Sequence, residues 1–340
     1  MCAQPRFPGG SKTRVNRAGD ALRSGNPTSD DLRVFEEWRL AHRHVLNTFQ
    51  ALIRNRIKKE GVNAIVAQRH KRKSTIIDKL NRYPRMQLSR MDDVAGCRII
   101  LDDINSIYSL RGSMHKARVR HILKNGEDKY DYIKRPKHSG YRGIHDIYSY
   151  IPQSYKSEIY KGLLIEIQYR TKIQHSWATT VEIIGNITEN DPKFNRGDEK
   201  YMRIMALSSE ILSRAYESRH GPLPEVDNAD LVKEFLFLDR ELNLISRLSA
   251  IKGARSHIIS KKNVILVLKS GYHENIEIYS FEYATDALEN LIKLEEKYPD
   301  SDVVLVRANT SDDVLFSYKN YFSDAKDFVD LIRKAILKLS

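Results

Sequence analysis

The residues that could do chemistry fall in four short clusters between positions 69 and 171. In the first, Arg69-His70-Lys71-Arg72-Lys73-Ser74-Thr75-Ile76-Ile77-Asp78-Lys79, cations alternate on what reads as a strand and a helix then opens near Thr75. Cations two residues apart on a strand share a face, and the free N–H groups of a helix start attract phosphate. Together they could hold a triphosphate, although a solvated helix face would also account for the charge. No GxxxxGK[ST] stretch occurs, so this is not a Walker A loop. The second cluster, Asp92-Asp93-Val94-Ala95-Gly96-Cys97-Arg98, enters an apolar strand. A carboxylate there is placed either to hold Mg²⁺ between phosphates or to cap a short helix.

The third cluster runs from Asp131 to His145 and interleaves Tyr132, Lys134, Arg135, Lys137, Tyr141 and Arg142 with Pro136, Gly140 and Gly143. Pro and Gly impose an irregular loop; its cations can grip phosphate while a tyrosine stacks on a base, or the whole can be ordinary surface. In the fourth, Ile165-Glu166-Ile167-Gln168-Tyr169-Arg170-Thr171, period-two alternation puts Glu166, Gln168 and Arg170 on one face. That face is either a site or a solvated side of a sheet.

In this order the clusters resemble the synthetase domain of the RelA/SpoT alarmone enzymes. That domain carries R-x-K-x-x-x-[ST]-I-x-x-K, then D-x-x-x-x-R, then YxxxPKxxGYxxxH, then E-x-Q-x-R-T. The matching residues are Arg69, Lys71, Thr75 and Lys79; Asp93 and Arg98; Tyr132, Pro136, Lys137, Gly140, Tyr141 and His145; and Glu166, Gln168, Arg170 and Thr171. The resemblance covers positions 30–220. It implies a synthetase-like nucleotidyltransferase fold and a pyrophosphokinase that moves the β,γ-diphosphate of ATP onto a ribose hydroxyl. Arg69, Lys71, Thr75, Lys79 and Arg98 would hold ATP, with Arg111 as a looser candidate for packing on adenine. Asp93 and Glu166 would be the catalytic and metal-binding carboxylates, serving Mg²⁺, with Glu166 activating the acceptor. Tyr132, Lys137, Tyr141, His145, Gln168 and Arg170 would bind the acceptor, Tyr141 by stacking on its base.

The elements that must position these groups alternate through the middle of the chain. Strands are expected over Asn63–Gln68, Cys97–Leu101, Val119–Leu123, Gly143–Ile151 and Leu163–Tyr169. Helices are expected from Asp30 through Ile53 and over Thr75–Asn81, Ile104–Ala117, Lys172–Ile187, Lys200–Ser218 and Ala229–Ile259. The fold class is α/β (α+β): a mixed β-sheet flanked by helices. Positions 1–29, rich in Gly, Pro, Ser and Arg, read as a loosely held basic arm. The synthetase domain would occupy 30–220 and a helical linker 221–262, with Gly221-Pro222-Leu223-Pro224 as a break. From 263 to 340 the order strand, strand, helix, strand, strand, helix describes a small ββαββα domain, its fourth strand over Asp313–Ser317.

Charge separates these parts. The net charge is +13, yet residues from Asn263 onward carry nine Lys/Arg against fourteen Asp/Glu, so 1–262 hold +18. Between Arg54 and Arg90 there are twelve cations against two acids. A basic body suits polyphosphate or nucleic acid, and an acidic tail suggests that the halves touch. Two cysteines without a CxxC exclude a disulfide framework or a zinc site, and no apolar run marks a signal or a membrane span. The cytoplasm is the expected compartment.

The stretch after Glu166 departs from ordinary alarmone synthetases, reading Tyr169-Arg170-Thr171-Lys172-Ile173-Gln174-His175-Ser176-Trp177. It is similar to the toxic small synthetases that pyrophosphorylate the 3′ CCA end of tRNA. Neither the hydrolase half nor the regulatory modules of the long enzymes are expected. The tail resembles that of the fused toxin–antitoxin CapRel group, whose C-terminal pseudo-zinc-finger carries a YxxY motif that plugs the ATP site. Tyr318 and Tyr321 match it. The resemblance implies tRNA as acceptor, autoinhibition by the tail, and release by a phage protein, with capsid protein a candidate. GDP or GTP is the alternative acceptor. A non-catalytic RNA-binding sensor on a decayed synthetase fold is a third class, and the intact Asp93 and Glu166 weigh against it.

Overall fold

The computed structural model describes residues 7–117, 120–188, 198–250, 261, 263–268, 276–298, 301–307, 313 and 325–340. Helix α1 (Lys12–Arg23) leads into the long α2 (Ser29–Glu60), which starts at a capping box between Thr28 and Asp31. It stops where Gly61 turns left-handed at φ 64°, a conformation glycine adopts without steric penalty. Along α2, Phe35, Trp38, Val45, Phe49 and Ile53 form one apolar stripe, fully buried against the sheet.

The expected mixed sheet is present, with eight strands among the described residues. These are β1 (Ala64–His70), β2 (Ala95–Leu101), β3 (Ile122–Leu123), β4 (Ile144–Ser149), β5 (Leu164–Thr171), β6 (Asn263–Leu268), β7 (Ile276–Phe281) and β8 (Asp302–Arg307). Their order is β3-β4-β5-β2-β1-β8-β6-β7, with only β2 and β5 parallel. One face of β2 and β5 (Cys97, Ile99, Leu101, Ile165, Ile167, Tyr169) joins α1, α2 and α4 (Ile104–His115) in the main core. The short α3 (Lys73–Arg82) follows β1.

A second core gathers α5 (Lys172–Thr188), α6 (Glu199–Glu217), α7 (Asn228–Leu242), α8 (Leu244–Ala250) and α10 (Lys326–Leu339). Helix α9 (Ala284–Lys297) covers β6 and β8 in a third cluster that includes Ile265, Val267, Leu291 and Leu305.

Three expectations are corrected. The loose arm is, over Lys12–Arg23, a helix whose Val15, Ala18, Gly19 and Leu22 are buried. A Cβ on Gly19 would stand 2.6 Å from Leu88, so this helix sits hard against the body. The single helix expected over Ala229–Ile259 divides into α7 and α8 at Asn243, which has φ 52°. The C-terminal strands have their own small core but are not detached: β8 pairs with β1 at Gln68 and Arg69, extending the same sheet. The last helix packs on α5 to α8 rather than on those strands. The strand expected over Asp313–Ser317 lies, but for Asp313, outside the described residues. No described helix is long and apolar enough to cross a membrane.

Candidate active site

Strand register explains how distant motifs meet. Arg69 on β1 lies opposite Gly96 on β2, Gly96 opposite Glu166 on β5, and Glu166 opposite Ile147 on β4. The next row is Ala67, Arg98, Gln168 and His145. Residues in register share a face, and neighbours two apart share it too. Arg69, Arg98, His145, Glu166, Gln168 and Arg170 therefore stand on one face across four adjacent strands, opposite to the main core.

On the β1–β2 side the groups are ion-paired and partly open. Lys71 Nζ lies 2.7 Å from Asp93 Oδ2, and Lys79 Nζ lies 3.0 Å from Asp93 Oδ1 and 3.4 Å from Asp92. Burial would raise the Asp93 carboxyl, but Lys71 and Lys79 hold it below its usual range. For Lys71, burial outweighs Asp93 and the ammonium titrates below its usual value. Lys79 is pulled down by burial and pushed above its usual value by Asp93, Asp92 and Glu166. Thr75 sits in the first turn of α3, whose N-cap, Arg72, offers no side chain to the free N–H groups. A phosphate could take that place.

The β4–β5 side is a continuous hydrogen-bonded series. His145 Nδ1 meets Glu166 at 2.8 Å, and Gln168 Nε2 donates to Glu166 at 2.6 Å. The Tyr141 hydroxyl lies 2.6 Å from His145 Nε2 and accepts from Arg170 at 3.1 and 3.3 Å. Burial pulls His145 down, but Tyr141 and Glu166 lift it to about 9. For Tyr141, burial pushes up while Arg170 and His145 bring it down to about 7. Burial likewise raises Glu166, yet His145, Gln168 and Lys79 hold it well below the usual carboxylate range. Near neutrality an imidazolium thus lies between a carboxylate and a readily ionised phenol. Lys137 Nζ sits 4.4 Å over the Tyr132 ring.

Two sequence-derived assignments are corrected. Arg111 does not face the site. It belongs to α4 on the core side, where it is 2% exposed and ion-paired at 2.8 Å with Asp146, whose other partner is His115 at 2.7 Å. Tyr141 is 5% exposed and packs with Trp177 in the second core, so no open ring face is available for a base. Tyr132, half-buried beside it, presents more of its ring. Tyr318 and Tyr321 lie outside the described residues. The sequence reading also missed the buried Asp131 carboxylate, which starts the loop by accepting from the Tyr108 hydroxyl at 2.9 Å and from the Ile133 and Lys134 N–H groups. It counted Arg142 among the loop's phosphate-gripping cations, but the residue is buried against hydroxyls and a carboxylate of α6, partners about seventy residues away with no local signature.

Among the described residues no group of three or more His, Cys, Asp or Glu side chains forms a metal cage. Mg²⁺ is commonly held by one or two carboxylates together with substrate phosphates, and Asp93 and Glu166 fit that donor set.

A pair of lysines around Asp93 and an uncapped helix start, beside a sheet face that bears Glu166, suit an enzyme of phosphoryl or pyrophosphoryl transfer. The region found in RelA/SpoT proteins matches residues 68–184. The GTP pyrophosphokinase YjbM of Bacillus subtilis (strain 168) is 30% identical over 162 residues, covering 45% of this chain and 74% of that protein. The GTP pyrophosphokinase of Escherichia coli (strain K12) is 29% identical over 146 residues, 43% of this chain, and the match spans only 18% of its length. The crystal structure of small alarmone synthetase 1 from Bacillus subtilis bound to its product pppGpp shares 26% identity, with coverage of 54% of this chain and 93% of that one and a TM-score of 0.46. The chain belongs to the RelA/SpoT family and, with it, to the pyrophosphokinases.

Proposed function

We propose that this site transfers the β,γ-diphosphate of ATP to the 3′-hydroxyl at the CCA end of tRNA. The observation that supports the reading is the Lys71–Asp93–Lys79 ion-paired cluster at the end of β1 and the start of β2, beside the sheet face that bears Glu166. Lys71, Lys79, Arg69, Arg98 and the start of α3 take the triphosphate, the lysines exchanging Asp93 for phosphate oxygens. Asp93 and Glu166 are the residues that would hold Mg²⁺, which neutralises charge developing on the phosphates. Glu166 accepts the proton of the acceptor hydroxyl, whose oxygen attacks the β-phosphorus; the bond to the α-phosphate oxygen breaks and AMP leaves. Such a transfer depends on alignment and charge neutralisation, so a weakly basic carboxylate suffices.

The polymeric acceptor is supported by the rim of the loop. Lys129, Lys134, Arg135 and Lys137 are all exposed there, more cationic surface than a single nucleotide needs. GDP or GTP is the second reading, supported by the names of the Bacillus and Escherichia relatives. Incubation with ATP labelled in the β or γ position, with tRNA or GDP present, separates them: label on tRNA is expected. Label on GDP alone transfers the chain to the second reading. Label on neither, with and without a trigger protein, leaves an RNA-binding sensor.

We also infer that the C-terminal segment restrains the enzyme until a phage protein, with capsid protein a candidate, engages it. Support comes from Glu295 of α9, which forms a two-pronged ion pair with the buried Arg39 at 2.5 and 3.0 Å. A cavity of about 240 Å³ separates Arg72, Lys73 and Ser74 of the phosphate motif from Glu295 and Tyr298. Tyr318 and Tyr321 would complete the block. Cells carrying Tyr318→Ala with Tyr321→Ala are expected to stop growing; growth as healthy as wild type sinks the restraint.

A further inference from the structure

We propose that Arg142 and Glu217 form a positioning pair that holds the acceptor half of the site in register, which rests on the reading of residues 131–145 as the acceptor loop. Arg142 reads from the sequence as one of the loop's phosphate-gripping cations, whereas Glu217 lies outside the four clusters. Both are buried where the loop meets α6.

The loop is pressed onto that helix. Gly140 has φ +94°, and a Cβ there would stand 2.7 Å from the Trp177 ring and 3.1 Å from Ser209 Cβ. Its carbonyl accepts from Ser209 Oγ at 2.6 Å. Two residues on, the Arg142 guanidinium, 2% exposed, donates to Ser209 Oγ at 3.1 Å, to Ser213 Oγ at 3.0 Å, and to Glu217. Ser209, Ser213 and Glu217 are spaced four apart, so they form one row along α6. The second Glu217 oxygen accepts from Thr171 Oγ1 at 2.6 Å and from Gln174 Nε2 at 3.0 Å, at the junction of β5 and α5.

One carboxylate therefore ties together two segments, and each carries a neighbouring site residue: Tyr141 beside Arg142, and Arg170 beside Thr171. Tyr141 and Arg170 bond to each other and reach Glu166 through His145. A buried ion pair is a poor source of stability compared with an apolar filling, but its geometry is specific. Here that geometry fixes the loop against the strand that bears the base. The donor half lies on β1, α3 and the start of β2, whereas this row holds the loop before β4 and the end of β5, so the pair should act on the acceptor alone.

The test compares wild type, Glu217→Gln, and Ser209→Ala with Ser213→Ala, using as acceptor whichever of tRNA or GDP the wild type labels. Expected are a rise in acceptor KM by about tenfold to a hundredfold, an unchanged KM for ATP, and faster amide hydrogen exchange over residues 137–145 with α3 and β2 unaffected. The hydroxyl-free variant leaves the ion pair intact and keeps the comparison available if Glu217→Gln does not fold. Acceptor and ATP KM rising together, neither changing, or exchange quickening uniformly would each overturn the proposal. A wild type that labels neither acceptor, with and without a trigger protein, removes the transferase reading instead, while the exchange pattern still decides whether the pair holds the loop.

Discussion

The two halves of the site are built differently. Around Asp93 the partners are lysines on long stems, with Lys71 14% and Asp93 21% exposed. Around Glu166, itself 14% exposed, they are linked in series, from Gln168 and His145 through Tyr141 to Arg170, the last two buried. Lysines on flexible stems can leave one anion for another at small loss, whereas a hydrogen-bonded series anchored in the buried Tyr141 and Arg170 resists rearrangement because an unpaired buried member is costly. The donor half is thus suited to trade protein carboxylates for phosphates, and the acceptor half to hold one geometry. Substitutions should divide along the same line, acting on ATP binding in one half and on turnover in the other.

The largest effect is expected from Glu166→Gln, which keeps the shape but removes the proton acceptor. Turnover in the labelling assay should fall about 10²- to 10⁴-fold with little change in the KM for ATP. A variant that keeps wild-type turnover would remove Glu166 from the chemistry. Next is Arg111→Met, on the core face. It strips Asp146, which is fully buried, of its guanidinium, leaving His115 alone to compensate. Removing one partner of a buried pair typically destabilises by about 3–5 kcal/mol, so the urea midpoint should drop markedly. The KM for ATP of the remaining folded enzyme should not move; if it rises while stability holds, Arg111 contacts nucleotide after all. Smaller again is Lys79→Ala, which should raise the KM for ATP by about tenfold and leave the acceptor KM alone. An acceptor effect of similar size would dissolve the distinction between the halves.

The same contrast decides what could be read from the residues in advance. Glu166, Gln168 and Arg170 announced their common face because strand alternation is local, and β5 does present them together. The meeting of Asp93 with Glu166 needed only that two apolar strands be neighbours. Arg111 could not be placed, because helical spacing gives a face but not which side of the sheet the helix covers. Tyr141 looked like an exposed loop aromatic until α5 and α6, contributed by residues up to seventy positions later, closed over it. In the first helix the signal existed, as Val15, Ala18, Gly19 and Leu22 have helical spacing, but the Gly- and Pro-rich flanks hid it. The joining of β8 to β1 is a pairing between segments more than two hundred residues apart, for which no local pattern exists.

The finest comparison lies within the acceptor network and concerns its protons. His145, with an ordinary value of 6.5, is lifted to about 9; taken alone it stabilises the fold fully below pH 6.5 and loses that contribution as pH rises through 9. Tyr141 runs the other way. Lowered from 10 to about 7, its contribution is complete above pH 10 and is lost as pH falls through 7. Between pH 7 and 9, unfolding thus releases a proton from His145 and binds one at Tyr141, and the two slopes oppose each other. Tyr141→Phe keeps the ring in its packing and deletes only the hydroxyl. What remains is the His145 contribution, still supported by Glu166, so the variant should lose stability on going from pH 6.5 to 8.5 by about 1 kcal/mol more than wild type does. Urea unfolding of both proteins across that range measures the difference directly. Parallel curves would mean that the hydroxyl does not share its proton with His145, and the acceptor half would then be no more tightly linked than the lysines opposite it.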